Sequence, residues 1–340
     1  MYGIDRRNLR KYVNERKETM KIITFEDIKR MNISPSSCFD WAEMMIKNKS
    51  QALLPPKISM KPANGIFCNI MPCMIPGVEK NNWGGVKVVT RYPDRTPSLE
   101  SRILLMNTDN GEFLALMDGT WITAMRTGAV AAHSIVLLAK KNFATIGMMG
   151  LGNVTRSTLL ILCDKLPDKE LHIKLLKYKG QEEDFARRFS NFQNLHFTFV
   201  DTPEEMVKGS DVVISGATYL PNDVCANEYF DEGVLVQPIH TLGFTNCDLF
   251  FNKVFADDLG HVRHFRNFDK FRQFAEVCDV VNGDKPGRED DSERILVYNI
   301  GVSIHDINFA ASIYQLMQKQ SMLSSLPEVD MKDPTEKFWV

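Results

Sequence analysis

Two rhythms of apolar and polar positions divide this chain near residue 120. Before that point, short runs of alternating or apolar residues read as strands over Lys57–Lys61, Ile66–Met71, Gly85–Arg91, Arg102–Asn107 and Phe113–Met117. Asn64-Gly65 and Asp109-Asn110-Gly111 lie between some of them, and such turns favour hairpins. The pattern predicts a meandering, mostly antiparallel sheet, preceded by an amphipathic helix around residues 37–49.

From Thr120 to Lys141 the chain is rich in alanine and leucine and reads as one buried helix. Beyond it, strand-like and helix-like segments alternate. Strands are predicted at 143–150, 171–178, 195–200, 211–218, 234–239, 253–258 and 295–300. Helices are predicted at 154–166, 181–189 and 203–208, with a last one from Gly301 to near Gln320. Alternation of this kind argues for a parallel sheet with helices on both faces. Ser321 onward lacks a clear pattern and is expected to be a tail.

Length and composition agree with two globular domains: 340 residues, 44% hydrophobic, 25% charged. A formal net charge of −2 gives no global pull toward nucleic acid or an anionic membrane. No uninterrupted apolar run reaches the roughly 18 residues of a membrane span. Residues 1–19 lack the apolar centre of a secretory signal and carry Arg6, Arg7, Arg10, Lys11, Arg16 and Lys17 against Asp5, Glu15 and Glu18. They read as a basic arm or as a solvated, flexible extension over 1–20. The seven cysteines form no CxxC pair, so reduced thiols in a cytoplasmic protein are expected, and no metal is expected at His261 and His264.

The first strand of the second half runs into Gly150-Leu151-Gly152-Asn153-Val154-Thr155. This supplies the first two glycines of a G-x-G-x-x-G/A turn. The first permits the tight turn, and the second lets the backbone approach a pyrophosphate at a helix N-terminus. Thr155 occupies the third position and is expected to loosen helix–strand packing slightly. The end of the next strand, where NAD-binding chains place an acid, reads Lys177-Tyr178-Lys179-Gly180. Positive charge there leans toward NADP, with Glu182 and Asp184 as acids that would reach a ribose if NAD is used. Gly150, Leu151, Gly152, Asn153, Val154, Lys179 and Thr218 are the expected cofactor contacts.

Several segments together resemble the ornithine cyclodeaminase/mu-crystallin family. The resemblance is carried by LALMDGTWITAMRTGAVAAHSIVLLAKK (114–141), the glycine turn after it, PPK (55–57), GGVKVV (84–89), VFADD (254–258), NGDKPGR (282–288) and NIGVSIHDINFAASIY (299–314). It covers residues from about 22 to 320. The fold it implies is α/β, with a Rossmann dinucleotide-binding domain (126–302) inserted into an α+β domain for substrate binding and dimerisation (21–125 plus 303–325). It further implies a homodimer, and chemistry at the Cα–N bond of amino acids through an imine.

Matched residue by residue, the resemblance offers Arg126, whose planar guanidinium suits a substrate carboxylate, or alternatively a structural ion pair. Lys87 lies in an apolar strand, where desolvation lowers a lysine pKa and suits it to proton transfer or carboxylate binding; a solvated surface lysine is the other reading. Lys57 stands where many members carry arginine, and is a substrate contact or a surface residue. His240 lies in the loop 237–243, which lacks the aspartate of the cyclodeaminase subgroup until Asp248, and is an acid/base or a core histidine. Asp306 near the start of the last helix faces the site or supports the helix. The expected function is an NAD(P)-dependent dehydrogenase or imine reductase. The alternatives are ornithine cyclodeaminase, a lyase with catalytic NAD, and a non-catalytic NADP(H)-binding protein.

Overall fold

The structure is a computed structural model, and it describes residues 19–77, 81–240, 244–245 and 250–330. In chain order the first elements are β1 (Thr19–Ile23), α1 (Phe25–Arg30), α2 (Pro35–Lys47), β2 (Ile58–Ala63), β3 (Ile66–Ile75), β4 (Trp83–Arg91), β5 (Leu99–Asn107) and β6 (Glu112–Asp118). Then follow α3 (Thr120–Leu138), β7 (Thr145–Met149), α4 (Asn153–Lys165), β8 (Leu171–Leu176), α5 (Gln181–Arg188), β9 (Leu195–Val200), α6 (Pro203–Val207) and β10 (Val212–Ser215). The series ends with β11 (Leu235–Pro238), β12 (Lys253–Ala256), α7 (Leu259–Val262), β13 (Phe274–Glu276), α8 (Val277–Val281), β14 (Ile295–Tyr298), α9 (Ser303–Lys319) and β15 (Glu328–Asp330).

These elements form two compact units. The first is drawn from Met1–Ile33, Ser50–Thr123 and Ser303–Val340, the second from Ser34–Lys49 and Ala124–Val302. Residues 34–49, expected with the sheet that follows them, cluster with the second unit because α2 packs on α4 and α8.

The first unit is a seven-stranded sheet in the order β15-β1-β6-β5-β4-β3-β2. It is antiparallel except where β1 runs parallel to β6. Thr19 and Met20 belong to β1, so the expected flexible extension does not include them; residues 1–18 lie outside the described residues. The expected tail likewise contains β15, which pairs with β1 through Thr19–Asp330, Met20–Val329 and Lys21–Glu328.

Period-two alternation sends each strand's side chains to opposite faces. Helix α9 covers one face, packing on β3, β4 and β5. Under it lies a register row of Met71, Lys87, Ile103 and Met117, all buried. Gly85 makes room for the helix: a Cβ there would sit 2.9 Å from Ile307 Cδ1. The opposite face carries the row Pro72, Val86, Leu104 and Leu116, together with Met74 and Val88. Met74, Val88 and Leu116 are exposed.

The second unit is an eight-stranded sheet in the order β13-β12-β14-β11-β10-β7-β8-β9, parallel throughout. The central strands β7, β10, β11, β12 and β14 are short and buried, as parallel strands covered on both faces must be. From β7 the chain winds outward to β8 and β9, then returns to β10 on the other side of β7. The strand order therefore reverses beside β7, at the crevice where open α/β sheets take their ligands. By length and composition α3 would cross a membrane, but 78% of its apolar stretch is buried in protein, as in a core helix. Past β10 an aromatic cluster joins the covering layer: Phe230, Phe244, Phe250 and Phe251 pack ring against ring.

Candidate functional site

In the second unit, β7 ends in the glycine turn and α4 begins behind it. Gly150 has φ +70, a left-handed conformation that glycine adopts without strain. A Cβ at Gly150 would lie 2.3 Å from the Ala217 nitrogen, so the turn packs directly on the segment that follows β10. A Cβ at Gly152 would meet nothing within 4 Å. The space that a side chain would fill at the helix start is thus open. Gly152 is the N-cap residue and offers no side-chain cap, leaving the first backbone N–H donors of the helix to a ligand or to water. Open space at Gly152 beside tight packing at Gly150 is what a pyrophosphate requires, and the residues present fit a dinucleotide.

Thr155 corrects the expectation attached to it. Its side chain is fully buried, and its Oγ1 donates to the Gly150 carbonyl at 2.7 Å. Instead of loosening the packing, the hydroxyl ties the helix to the turn. Gly216 accommodates it, since a Cβ there would come 2.2 Å from Thr155 Oγ1. The other expected cofactor contacts are distributed around this turn. Leu151 is buried, Val154 half-buried, and Asn153, Lys179 and Thr218 exposed.

Arg126 is 4% exposed and lies against the backbone of Gly301. A Cβ at Gly301 would sit 2.1 Å from Arg126 Nη1, and Gly301 has φ +85. Its N–H donates to Asp257 Oδ2 at 2.7 Å. Complete burial raises the Asp257 pKa, against the hydrogen bond from Gly301 and the influence of nearby His261, which lower it. Asp257, Gly301 and Arg126 therefore form one buried positioning chain. Asp257 and Gly301 lie in the segments 254–258 and 299–314 that carry the family resemblance, and an acid at the end of a buried strand is the sequence signal for the first. His240 follows β11 and is half-buried. Residues 241–243 and Asp248 lie outside the described residues.

In the first unit, alternation along β4 turns Lys87 inward beneath α9. Its Nζ lies 2.7 Å from Asp306 Oδ2, with side chains 1% and 0% exposed. The expected solvated alternative for Lys87 is excluded, and Asp306 supplies the opposite charge that a buried ammonium needs. Cys73, missed in the sequence, borders the pair. Burial pushes its thiol up to about 12, and it hydrogen-bonds Ser303. Ser303 Oγ in turn donates to the Pro72 carbonyl at 3.0 Å, fixing the start of α9 on β3. Lys57 is half-buried just ahead of edge strand β2.

The two histidines spaced HxxH diverge. His261 Nδ1 lies 2.8 Å from Asp258 Oδ1, whereas His264 is exposed against Phe265. Glu276, Cys278 and Asp279 bring ligand-type atoms together, but Lys49 Nζ already stands 2.7 Å from Glu276 and 2.9 Å from Asp258.

Comparison with known proteins agrees with this geometry. The chain is 27% identical over 299 residues to N-((2S)-2-amino-2-carboxyethyl)-L-glutamate dehydrogenase of Staphylococcus aureus, covering 80% of this chain and 86% of that protein. Its fold matches Δ1-pyrroline-2-carboxylate reductase of Thermococcus litoralis, solved with NADH and L-proline, with TM-score 0.78 and 24% identity over 89% of this chain and 98% of that one. It also matches an archaeal alanine dehydrogenase dimer with bound NAD, with TM-score 0.80 and 21% identity over 92% and 100%. The model of the ornithine cyclodeaminase/mu-crystallin family matches residues 18–321. With a glycine turn at the switch point of a parallel sheet and the family's motifs in register along the chain, this protein belongs to the ornithine cyclodeaminase/mu-crystallin family.

Proposed function

We propose that the chain is an NAD(P)-dependent enzyme acting at the Cα–N bond of a small amino acid or its imine. The observation that carries this reading is the open glycine turn at the switch point. The relatives support it, since those named above are dehydrogenases and a reductase, two of them solved with NAD or NADH. Gly150, Leu151, Gly152, Asn153 and Val154 would hold the pyrophosphate, with Thr218 beside them. A bound nicotinamide supplies or takes up the hydride at the substrate α-carbon.

The chain's own residues bind, orient and move protons. Arg126, held by Gly301, presents a rigid fork to a carboxylate. Lys87, held by Asp306, carries a desolvated ammonium that pairs with a carboxylate or delivers a proton to the imine side. His240 is the second candidate for that proton. Lys57 adds a cation for the substrate. Orientation and electrostatics are the protein's share of the catalysis.

A homodimer and a cytoplasmic location belong to the same proposal. The uncovered row Pro72, Val86, Leu104 and Leu116 is an apolar sheet face that a second copy would cover, and one structural neighbour is a dimer. A Val86→Glu variant is expected to elute as a monomer in light-scattering chromatography, and an unchanged dimer would remove this face from the interface. Cell fractionation tests the location.

The activity test uses purified protein, L-amino acids with NAD+ or NADP+, and Δ1-pyrroline-2-carboxylate with either reduced cofactor. Absorbance of the reduced cofactor and ammonia are read together. Net oxidation or reduction of cofactor is expected. Ammonia without net cofactor change would instead identify a cyclodeaminase, and binding without turnover a carrier protein.

A further inference from the structure

The strand order sets β8 directly beside β7, so the turn that ends β8 stands next to the glycine turn. In dinucleotide-binding sheets this is where the adenosine ribose lies, and an acid there selects the unphosphorylated 2′-hydroxyl. This chain has Lys177, Tyr178, Lys179 and Gly180 at that point. The nearest acids are committed elsewhere. Glu182 accepts the Tyr178 N–H at 3.0 Å and so closes the turn. Asp184 accepts Arg156 at 2.8 Å, Arg188 at 2.8 Å, and Arg187. Asp201, at the end of β9, pairs with Lys177 at 2.9 Å. Neither carboxylate expected to reach a ribose stands ready for it.

The backbone adds an independent observation. Lys179 has φ +54 and Gly180 φ +73, and the Gln181 N–H closes the turn on the Tyr178 carbonyl at 3.1 Å. Such a turn favours Asn-Gly, because asparagine and glycine enter the left-handed region most readily. Among the described residues the other non-glycine positions with positive φ are Asn32 and Ser321. A lysine there is kept against local preference, and strain of this kind clusters at ligand sites. The side chain is exposed, with Nζ 5.0 Å from the ring centroid of the exposed Tyr178. On the helix that follows, three guanidiniums, Arg156 from the neighbouring helix with Arg187 and Arg188, gather on the single Asp184 carboxylate. Arg156 Nε among them is buried without a hydrogen-bond partner.

Resting on the reading that the second unit holds a nicotinamide dinucleotide, we propose that Lys179 and Arg156 form a subsite for an adenosine 2′-phosphate, so that NADP(H) is the preferred cofactor. Lys179 pairs with the phosphate from the turn, and Arg156 from the helix that starts at the glycine turn.

The test is equilibrium binding, read without turnover by quenching of protein fluorescence with NADPH and NADH. A charge-assisted contact to the phosphate predicts NADPH binding at least about tenfold tighter than NADH. The gap narrows as salt is raised. Lys179→Asn and Lys179→Asp keep side chains that tolerate the left-handed turn. Each is expected to weaken NADPH about tenfold or more while leaving NADH unchanged, or improved for K179D. Equal or tighter binding of NADH by the wild type, or no effect of K179D on NADPH, overturns the subsite while leaving the dinucleotide reading intact. Failure to bind either dinucleotide overturns both.

Discussion

His133 makes the second unit sensitive to mild acid. It lies on α3, 4% exposed, with its ring 5.3 Å from that of Phe39. Burial depresses its pKa from 6.5 to about 4, against the attraction of Glu43, whose Oε1 lies 4.0 Å away, and with the repulsion of Lys47 and Lys165. A group whose folded pKa is depressed contributes stability above its unfolded pKa and loses it as pH falls toward the folded value. The contribution is therefore complete above pH 6.5. About 2 kcal/mol of it is lost by pH 5 and about 3 kcal/mol by pH 4. The lowered carboxylates Asp184 and Asp258, both held near 2, act below this window, and Asp257, raised by burial, acts in the opposite sense. The measurement is thus a difference. Denaturant unfolding of the wild type and of His133→Met is followed by circular dichroism at pH 7, 5 and 4. The variant is expected to lose about 2 kcal/mol less than the wild type between pH 7 and 5. Equal losses in the two proteins would refute the reasoning.

Lys87→Met removes the cation from a carboxylate that is 0% exposed, and should cost about 3–5 kcal/mol in thermal unfolding. Lys87→Met/Asp306→Leu should recover most of that stability without recovering turnover; a single variant as stable as the wild type would contradict the pairing. Gly301→Ala places a Cβ 2.1 Å from Arg126 Nη1 at a left-handed φ. It is expected to displace the guanidinium and lower kcat/KM by about tenfold or more, which steady-state kinetics will show. Lys179→Asn relieves the left-handed lysine and should raise stability by up to about 1 kcal/mol while weakening NADPH, a trade visible by combining melting and binding curves.

The helix–strand alternation after residue 140 and the glycine turn were legible because each rests on local pattern. A buried strand must be apolar, and a tight turn must carry glycine. The β1–β15 pairing was not, since Lys21 and Glu328 are 307 positions apart and strands of five and three residues carry little periodicity. The allegiance of α2 to the second unit was hidden for a similar reason, because its amphipathic pattern announces a partner without naming it. Among the candidate residues, the buried Lys87 and Asp306 of the first unit and the buried Arg126 of the second lie on segments that motif resemblance singles out. The supporting contacts were less legible: Asp257 acts on Gly301, and Thr155 on Gly150, through single hydrogen bonds that only the fold creates.

The central claim is hydride exchange at the Cα–N bond, and isotope transfer tests it most directly. The protein is incubated with reduced dinucleotide deuterated at nicotinamide C4 on either face, with Δ1-pyrroline-2-carboxylate as the probe imine. The product is then examined by mass spectrometry and NMR. The account predicts one deuterium on the product α-carbon from one face of the cofactor, abolished in Lys87→Met and Arg126→Met. Oxidation of the cofactor without deuterium at that carbon, or transfer that survives both substitutions, would contradict it.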